Sequence, residues 1–155
     1  MIDDIMNNKL LEVNVSIQIL KPAPTVFKAI TDPTHMTNYF ISESSGKMVE
    51  GEKIIWKLPE FKEEFPITVE KIDEPRYISY RWGVGDDMLL VEMSLESPED
   101  EKTIITVAEK SKPLGETGIK WLKDNTEGWA NFLACLKAYL EYGVNLRKGA
   151  FDYRV

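Results

Sequence analysis

The first part of the chain alternates apolar and polar residues, as a strand with one buried face does. Residues 12–20 have the sequence EVNVSIQIL, and the apolar members of the alternation are Val13, Val15, Ile17 and Ile19. A period of two residues is typical of a half-buried strand, so we predict one over this segment.

Two proline-marked segments follow this strand. Pro22 stands at the start of PAPTVFKAI and predicts a short helix over about 22–31. Asp32 can cap a second short helix whose first position is Pro33, and this helix is expected to end near Phe40.

Between about residues 42 and 110 the pattern changes to short strand-like runs separated by turn residues. The runs lie near 44–50, 52–58, 64–73, 76–84, 88–96 and 102–110. The turns between them contain Gly51, Pro59, Asp73-Glu74-Pro75, Gly85-Asp86 and Ser97-Pro98. This punctuation predicts an antiparallel meander.

The strongest hairpin signal in the meander fixes a register. If Gly85-Asp86 forms a two-residue turn, Val84 faces Asp87. The pairs that follow are Trp82 with Leu89, Tyr80 with Val91, and Ile78 with Met93. A shift by one residue would pair apolar with polar side chains, so the sequence supports this register.

The last long apolar pattern has a helical period. One narrow stripe contains Leu122, Thr126, Trp129, Leu133, Leu136 and Leu140. We predict a helix over about 117–142, ended by Gly143, with Gly128 in its interior. Glycine costs about 1 kcal/mol relative to alanine there. A start at Asn125 or Thr126, which would put Gly128 in the first turn, is the alternative.

Composition and charge narrow the function classes. The net charge is −7, with 26 acidic and 19 basic residues, which argues against a nucleic-acid partner because phosphate binding needs clustered Lys and Arg. The longest apolar run, at 88–91, is too short to cross a bilayer. The opening MIDDIMNNKL lacks the apolar core of a signal peptide. We therefore expect a cytoplasmic protein without membrane insertion.

The single cysteine, Cys135, and the single histidine, His35, limit the available chemistry. One cysteine forms no internal disulfide, and structural zinc sites need several Cys or His ligands at short spacings. We predict no metal site and no cofactor. The residue count leaves carboxylate-bound Mg²⁺ or Ca²⁺ open as the alternative. The sequence offers His35 no partner and Cys135 no neighbouring base, so neither is predicted to be catalytic.

Three stretches of the chain carry a resemblance to a known superfamily. They are VSIQILKPAPTVFKAITDPTHMTNYF, ITVEKIDEPRYISYRW and EGWANFLACLKAYLEYG, and their most specific parts are PxxxVFxAITDP at 22–33 and GWxxFLxxLKxYLE at 128–141. Over residues 12–143 the chain resembles the SRPBCC superfamily of START-like or Bet v 1-like domains, in the branch named for the C-terminal domain of the activator of Hsp90 ATPase.

The resemblance implies an α+β helix-grip fold. In this fold a bent antiparallel β-sheet of six or seven strands wraps a long C-terminal α-helix, and two short helices follow the first strand. A length of 155 residues suits one domain, so we expect a single domain over 1–155, with a core over about 12–143. The resemblance assigns no role to the C-terminal tail, residues 144–155, which we expect to pack across the outside of the domain.

The resemblance also implies a cavity between the sheet and the long helix, open near the two short helices, that binds an apolar small molecule. The candidate lining is Phe27, Ile30, Met36, Tyr39, Phe40, Trp56, Tyr80, Trp82, Val91, Met93, Glu109, Trp129, Leu133 and Leu136. Large apolar side chains with a few polar groups are typical of ligand pockets. The same aromatic residues also suit a filled core, and the sequence leaves both interpretations open.

Two positions bear on that choice. Gly128 permits a close approach to the helix backbone, either by a strand of the sheet or by a molecule in the cavity. Glu109 shares the parity of Ile105 and Val107, so it is a polar anchor at the end of the cavity, an acid or base there, or a solvated residue beyond the end of the strand. We favour the solvated position. The segment Glu60-Phe61-Lys62-Glu63-Glu64 is interpreted as a solvated turn.

Three functions are compatible with these observations. The first is non-catalytic binding of an apolar or amphipathic small molecule in the cavity. The second is a protein-interaction module resembling the Hsp90 ATPase activator domain, with a homodimer or another protein as the partner. The third is a cavity enzyme of the cyclase or hydrolase type, for which the sequence offers no recognisable catalytic set.

Overall fold

The computed structural model describes residues 9–83 and 88–154. Within these ranges one antiparallel sheet is formed by β1 (Leu10–Ile19), β2 (Glu43–Ser44), β3 (Lys53–Lys57), β4 (Glu64–Asp73), β5 (Tyr77–Trp82), β6 (Leu89–Glu99) and β7 (Lys102–Pro113). The helices are α1 (Ala23–Thr31), α2 (Pro33–Met36) and α3 (Glu116–Tyr142), and a 3-10 turn spans Asp152–Arg154.

The sheet has the order β1-β7-β6-β5-β4-β3-β2, and α3 packs against it, most extensively along β1. Val13, Val107 and Leu136 come from β1, β7 and α3, and all three are fully buried where the layers meet. The helices α1 and α2 connect β1 to the far edge of the sheet. The α+β helix-grip fold is therefore confirmed, with seven strands in the described part of the chain.

The predicted register of the best hairpin is also confirmed. Trp82 pairs with Leu89, Tyr80 with Val91, and Ile78 with Met93. The turn at Gly85-Asp86 and the pair Val84 with Asp87 lie outside the described residues.

One strand prediction and one turn prediction were wrong. The run 44–50 forms only the two-residue β2, because the Ser44 hydroxyl donates to the Gly46 carbonyl in a local turn. The Met48 backbone N–H then donates to the carbonyl of Thr31, the last residue of α1, and not to a strand. The predicted turn at Ser97-Pro98 lies inside β6, where the pairing with β7 is irregular, a setting that tolerates proline.

The second short helix is shorter than predicted. It begins at Pro33 with Asp32 as its cap, and the Asp32 carboxylate accepts from the Thr34 N–H at 3.0 Å. It ends at Met36, and the chain continues to Phe40 in turns.

The long helix confirms the prediction and rules out a start at 125 or 126. Gly143 ends α3 with a φ of 67°, in the left-handed region that favours glycine. The close approach expected at Gly128 lies instead at Gly118, where a Cβ would be 2.1 Å from the Pro113 carbonyl oxygen. Apart from the residues next to it in the chain and the backbone of α3 itself, no heavy atom of the described residues lies within 4 Å of a Cβ placed at Gly128. Crowding by the sheet therefore does not explain that glycine.

Candidate functional site

A half-open cavity of about 460 Å³ lies between α3 and the loop that joins β3 to β4. Its apolar wall is formed by Phe40, Leu58, Phe61, Trp82, Trp129 and Phe132. The Trp82 and Trp129 rings lie 5.4 Å apart, centroid to centroid, and Phe132 meets Trp129 edge-on at 5.3 Å. Gly128 also lines this cavity, so the open space beside its backbone is part of the cavity.

A second cavity of about 350 Å³ adjoins the cavity of about 460 Å³. We call them the smaller cavity and the larger cavity. The two cavities share Leu58, Phe61, Trp82 and Asn125, and together we call them the cleft. Glu109, Lys112 and Trp121 line only the smaller cavity.

Glu109 on β7 is hydrogen-bonded to cleft residues of both the sheet and α3. It lies inside β7, 1% exposed, and its carboxylate accepts three hydrogen bonds. Trp82 Nε1 donates to Oε2 at 2.8 Å, and Trp129 Nε1 and Asn125 Nδ2 donate to Oε1 at 2.9 and 2.7 Å. The expectation of a solvated Glu109 was wrong, because β7 continues to Pro113 and keeps this residue on the inward face.

The predicted lining residues fall into two groups. Phe40, Trp82, Trp129, Glu109 and Tyr39 each line a cavity, Tyr39 only a third one of about 320 Å³ under the tail. The others are packed in the interior and line none of these three cavities: Phe27, Ile30, Met36, Trp56, Tyr80, Val91, Met93, Leu133 and Leu136. Their exposure is at most 3%, because facing aromatic rings such as Trp56 and Tyr80, 5.4 Å apart, fill the space that a cavity would need.

The packed interior still contains polar groups without a partner. The Trp56 indole nitrogen and the Tyr80 hydroxyl are buried and have no hydrogen bond within the described ranges. Burial, together with the nearby Glu109 charge, raises the pKa of Tyr80 well above its ordinary value. Tyr80 is therefore a neutral phenol at neutral pH.

The cleft is bordered by segments that the sequence did not assign to it. Glu60 is half-buried, with a side chain that is 8% exposed, and it forms an ion pair with Arg147 of the tail. The Arg147 guanidinium also lies 5.5 Å from the Phe40 ring centroid. Arg154 of the tail lines the larger cavity and pairs with Glu127 on α3. The solvated-turn interpretation was therefore wrong for Glu60.

The larger cavity is lined by the β3–β4 loop and the tail. Neither α1 nor α2 contributes a lining residue, and Phe40 follows the end of α2. Phe61, an aromatic residue in the charged segment 60–64, is the sequence signal that could have indicated this part of the lining.

His35 and Cys135 are both engaged in packing. His35 Nδ1 lies 2.6 Å from the Tyr139 hydroxyl, so the expectation that it has no partner was wrong. Cys135 is buried, and burial raises the pKa of its thiol, which opposes nucleophilic chemistry. Across residues 9–83 and 88–154, no group of three or more His, Cys, Asp or Glu could hold a metal ion.

The comparison with protein families agrees with this geometry. The profile of the Activator of Hsp90 ATPase homolog 1-like protein family matches residues 21–141. The chain belongs to this family. Among proteins with a curated description, none matches.

Solved structures of this family's fold resemble the chain closely. A Staphylococcus saprophyticus protein is 30% identical, with a TM-score of 0.77 over 88% of this chain and 96% of that one. DynU16, from the dynemicin biosynthetic locus, is 26% identical, with a TM-score of 0.74 over 86% of this chain and 48% of that one. The Aha1 dimer from Colwellia psychrerythraea is 20% identical, with a TM-score of 0.72 over 86% and 98%.

Among the described residues, no helix is both long and apolar enough to span a membrane.

Proposed function

We propose that this family member binds an apolar or amphipathic small molecule in the cleft, without catalysis. The observation that carries the proposal is the larger cavity, whose volume of about 460 Å³ and aromatic wall suit a ligand. Ligand sites are typically about 300–1,000 Å³, mostly apolar, with a few converging polar groups. The polar residues of the larger cavity are Glu60, Asp124, Asn125, Glu127, Arg147 and Arg154. Asn125 lines both cavities and is joined by a 2.7 Å hydrogen bond to Glu109, which lines the smaller one.

Gly128 supports this location of the ligand. A helix-interior glycine costs about 1 kcal/mol relative to alanine, and no neighbouring atom within 4 Å requires it. A side chain at this position would occupy space beside the cavity that Gly128 lines. The absence of a side chain is therefore explained by access to the cleft.

The hydrogen bonds of Glu109 support a binding role over a catalytic one. General acid–base catalysis needs a group that gives or takes a proton near the working pH. The described partners of Glu109 are two indole N–H groups and one amide, so Glu109 is not hydrogen-bonded to a second acid or base among the described residues.

Titration with N-phenyl-1-naphthylamine, a neutral apolar dye that brightens in apolar sites, tests the proposal. The wild-type protein is expected to bind one dye saturably at pH 7. Gly128→Leu places an isobutyl group beside the cavity and is expected to weaken binding at least about tenfold, the effect of losing roughly 1.4 kcal/mol.

Ala130→Leu is the matched control, because Ala130 is exposed on the same helix and lines neither cavity of the cleft. This variant is expected to bind the dye as the wild type does. Equal binding by all three proteins, or equal weakening by both leucines, would contradict the proposed site.

A further inference from the structure

The Glu109 carboxylate has one acceptor position that no described residue uses. A carboxylate has two oxygens with about four lone-pair sites. Oε1 accepts from both Asn125 and Trp129, whereas Oε2 accepts from Trp82 alone. Glu109 lines the smaller cavity, so a ligand there can reach the carboxylate.

The partners of Glu109 are neutral donors. No ion pair between Glu109 and a Lys or Arg is found among residues 9–83 and 88–154. Lys112 also lines the smaller cavity and has an interaction of its own, but it forms no ion pair with Glu109 in that part of the chain. Buried charges in proteins are normally paired with an opposite charge or bind a cation, whereas Glu109 has three neutral hydrogen-bond donors and no ion-pair partner within the described residues.

The charged residues that line the larger cavity are matched within the described part of the chain. Glu60 pairs with Arg147 in a largely buried ion pair, and Glu127 pairs with Arg154. Asp124, the remaining acid of the larger cavity, lies 2.6 Å from the Lys120 ammonium. Arg147 and Arg154, which line the larger cavity, are thus already paired with acidic residues, and this disfavours an anionic ligand. Glu109 is the acidic residue of the cleft without an ion-pair partner in the described ranges.

The aromatic wall suits the apolar part of a ligand. Trp82 and Trp129 donate their indole N–H groups to Glu109, and both residues line the larger cavity. The carboxylate of Glu109 and the aromatic wall are therefore in direct contact.

We propose that the ligand of the cleft is an apolar molecule carrying a protonated amine, which donates to Glu109 Oε2 while its apolar part lies against the aromatic wall. The inference rests on the proposed function and adds the charge of the ligand. It also makes Glu109 the residue that selects the ligand.

Three matched probes test the inference on the wild-type protein: phenylbutylamine, phenylbutanol and phenylbutanoate, titrated by calorimetry at pH 7. A charge-assisted hydrogen bond adds more binding free energy than a neutral one, and the amine is expected to bind about tenfold more tightly than the alcohol. The carboxylate is expected to bind weakest. At physiological salt the Debye length is about 8 Å, so the net charge of −7 contributes little to this preference.

The outcomes separate the two proposals. If the alcohol or the carboxylate binds as tightly as the amine, the inference is overturned while ligand binding in the cleft stands. If none of the three probes binds and the dye does not bind either, both proposals fail.

Glu109→Gln removes the charge at nearly constant volume and is expected to reduce the preference for amine over alcohol to within about twofold. Glu127→Gln is the matched control, since it makes the same change at the exposed edge of the larger cavity, and it is expected to keep the preference. An undiminished preference in Glu109→Gln would overturn the inference. Near-ultraviolet circular dichroism checks the fold, and the wild-type series decides alone if the Gln variant does not fold.

Discussion

Alanine at Gly128 and at Gly118 is expected to change the stability of this protein in opposite directions. Both glycines lie in α3. Alanine gains about 0.8–1.0 kcal/mol of helix propensity at Gly128 in the helix interior, and less at Gly118 in the first turn. The larger difference is the space around the added methyl group. A Cβ at 128 meets no heavy atom within 4 Å, whereas a Cβ at 118 would lie 2.1 Å from the Pro113 carbonyl oxygen and 3.2 Å from its carbon.

The magnitudes follow from these distances. Gly128→Ala is expected to raise the free energy of unfolding by nearly the full propensity gain, about 0.8 kcal/mol, which corresponds to about 2–3 °C in the midpoint temperature at this chain length. In Gly118→Ala the clash is with backbone, which relaxes only by moving β7 or α3. Overpacking of this kind costs about 1–3 kcal/mol and little helix propensity is gained in the first turn, so this variant is expected to be less stable by about 1–3 kcal/mol.

Urea unfolding followed by far-ultraviolet circular dichroism measures both variants against the wild type, and unchanged m-values would show that the unfolded states are comparable. A destabilised Gly128→Ala would refute the open space beside that residue. A Gly118→Ala variant as stable as Gly128→Ala would refute the close contact at Pro113.

Three further predictions concern other parts of the molecule. Arg147→Met leaves the Glu60 carboxylate without its partner and is expected to lower the free energy of unfolding by about 3 kcal/mol, with partial recovery when Glu60→Gln is added, as a double-mutant cycle in urea would show. Leu136→Ala removes a side chain that is 0% exposed and is expected to cost about 2–5 kcal/mol in the same assay. The Tyr77 hydroxyl and other contacts hold the pKa of Glu92 below its ordinary value. The contribution of Glu92 to stability is therefore present above its pKa in the unfolded chain and is lost as the pH falls through its pKa in the folded protein. The difference in free energy of unfolding between wild type and Glu92→Gln should shrink between pH 7 and pH 3, and a constant difference would contradict this.

The fold was predictable because its signals are local and periodic. The alternation in β1 and the helical stripe of α3 each specify one buried face, and the pairing of Tyr80 with Val91 follows from matching apolar positions across a hairpin. The prediction of a strand over 44–50 was wrong because the Ser44 side chain forms a local turn that competes with strand pairing. The prediction of a turn at Ser97-Pro98 was wrong because the irregular pairing of β6 with β7 accommodates Pro98.

The site was less predictable because it is assembled from distant segments. Periodicity identified Trp129 and Trp82 as inward-facing, but it could not separate a cavity wall from a filled interior, where Trp56 packs. That difference depends on how ring volumes fit together in three dimensions. The pairing of Arg147 with Glu60 spans 87 positions in the sequence, and no local pattern marks it.

The most direct test of ligand binding in the cleft is the nuclear magnetic resonance spectrum of the four tryptophan indole N–H groups during titration with N-phenyl-1-naphthylamine. Trp82 and Trp129 line the larger cavity, and Trp56 lies in the packed interior. We predict that the signals of Trp82 and Trp129 shift and saturate with one equivalent of dye, while the Trp56 signal stays in place. A shift confined to Trp56 would place the ligand between the sheet and the helix instead, and four unchanged signals at saturating dye would contradict binding altogether.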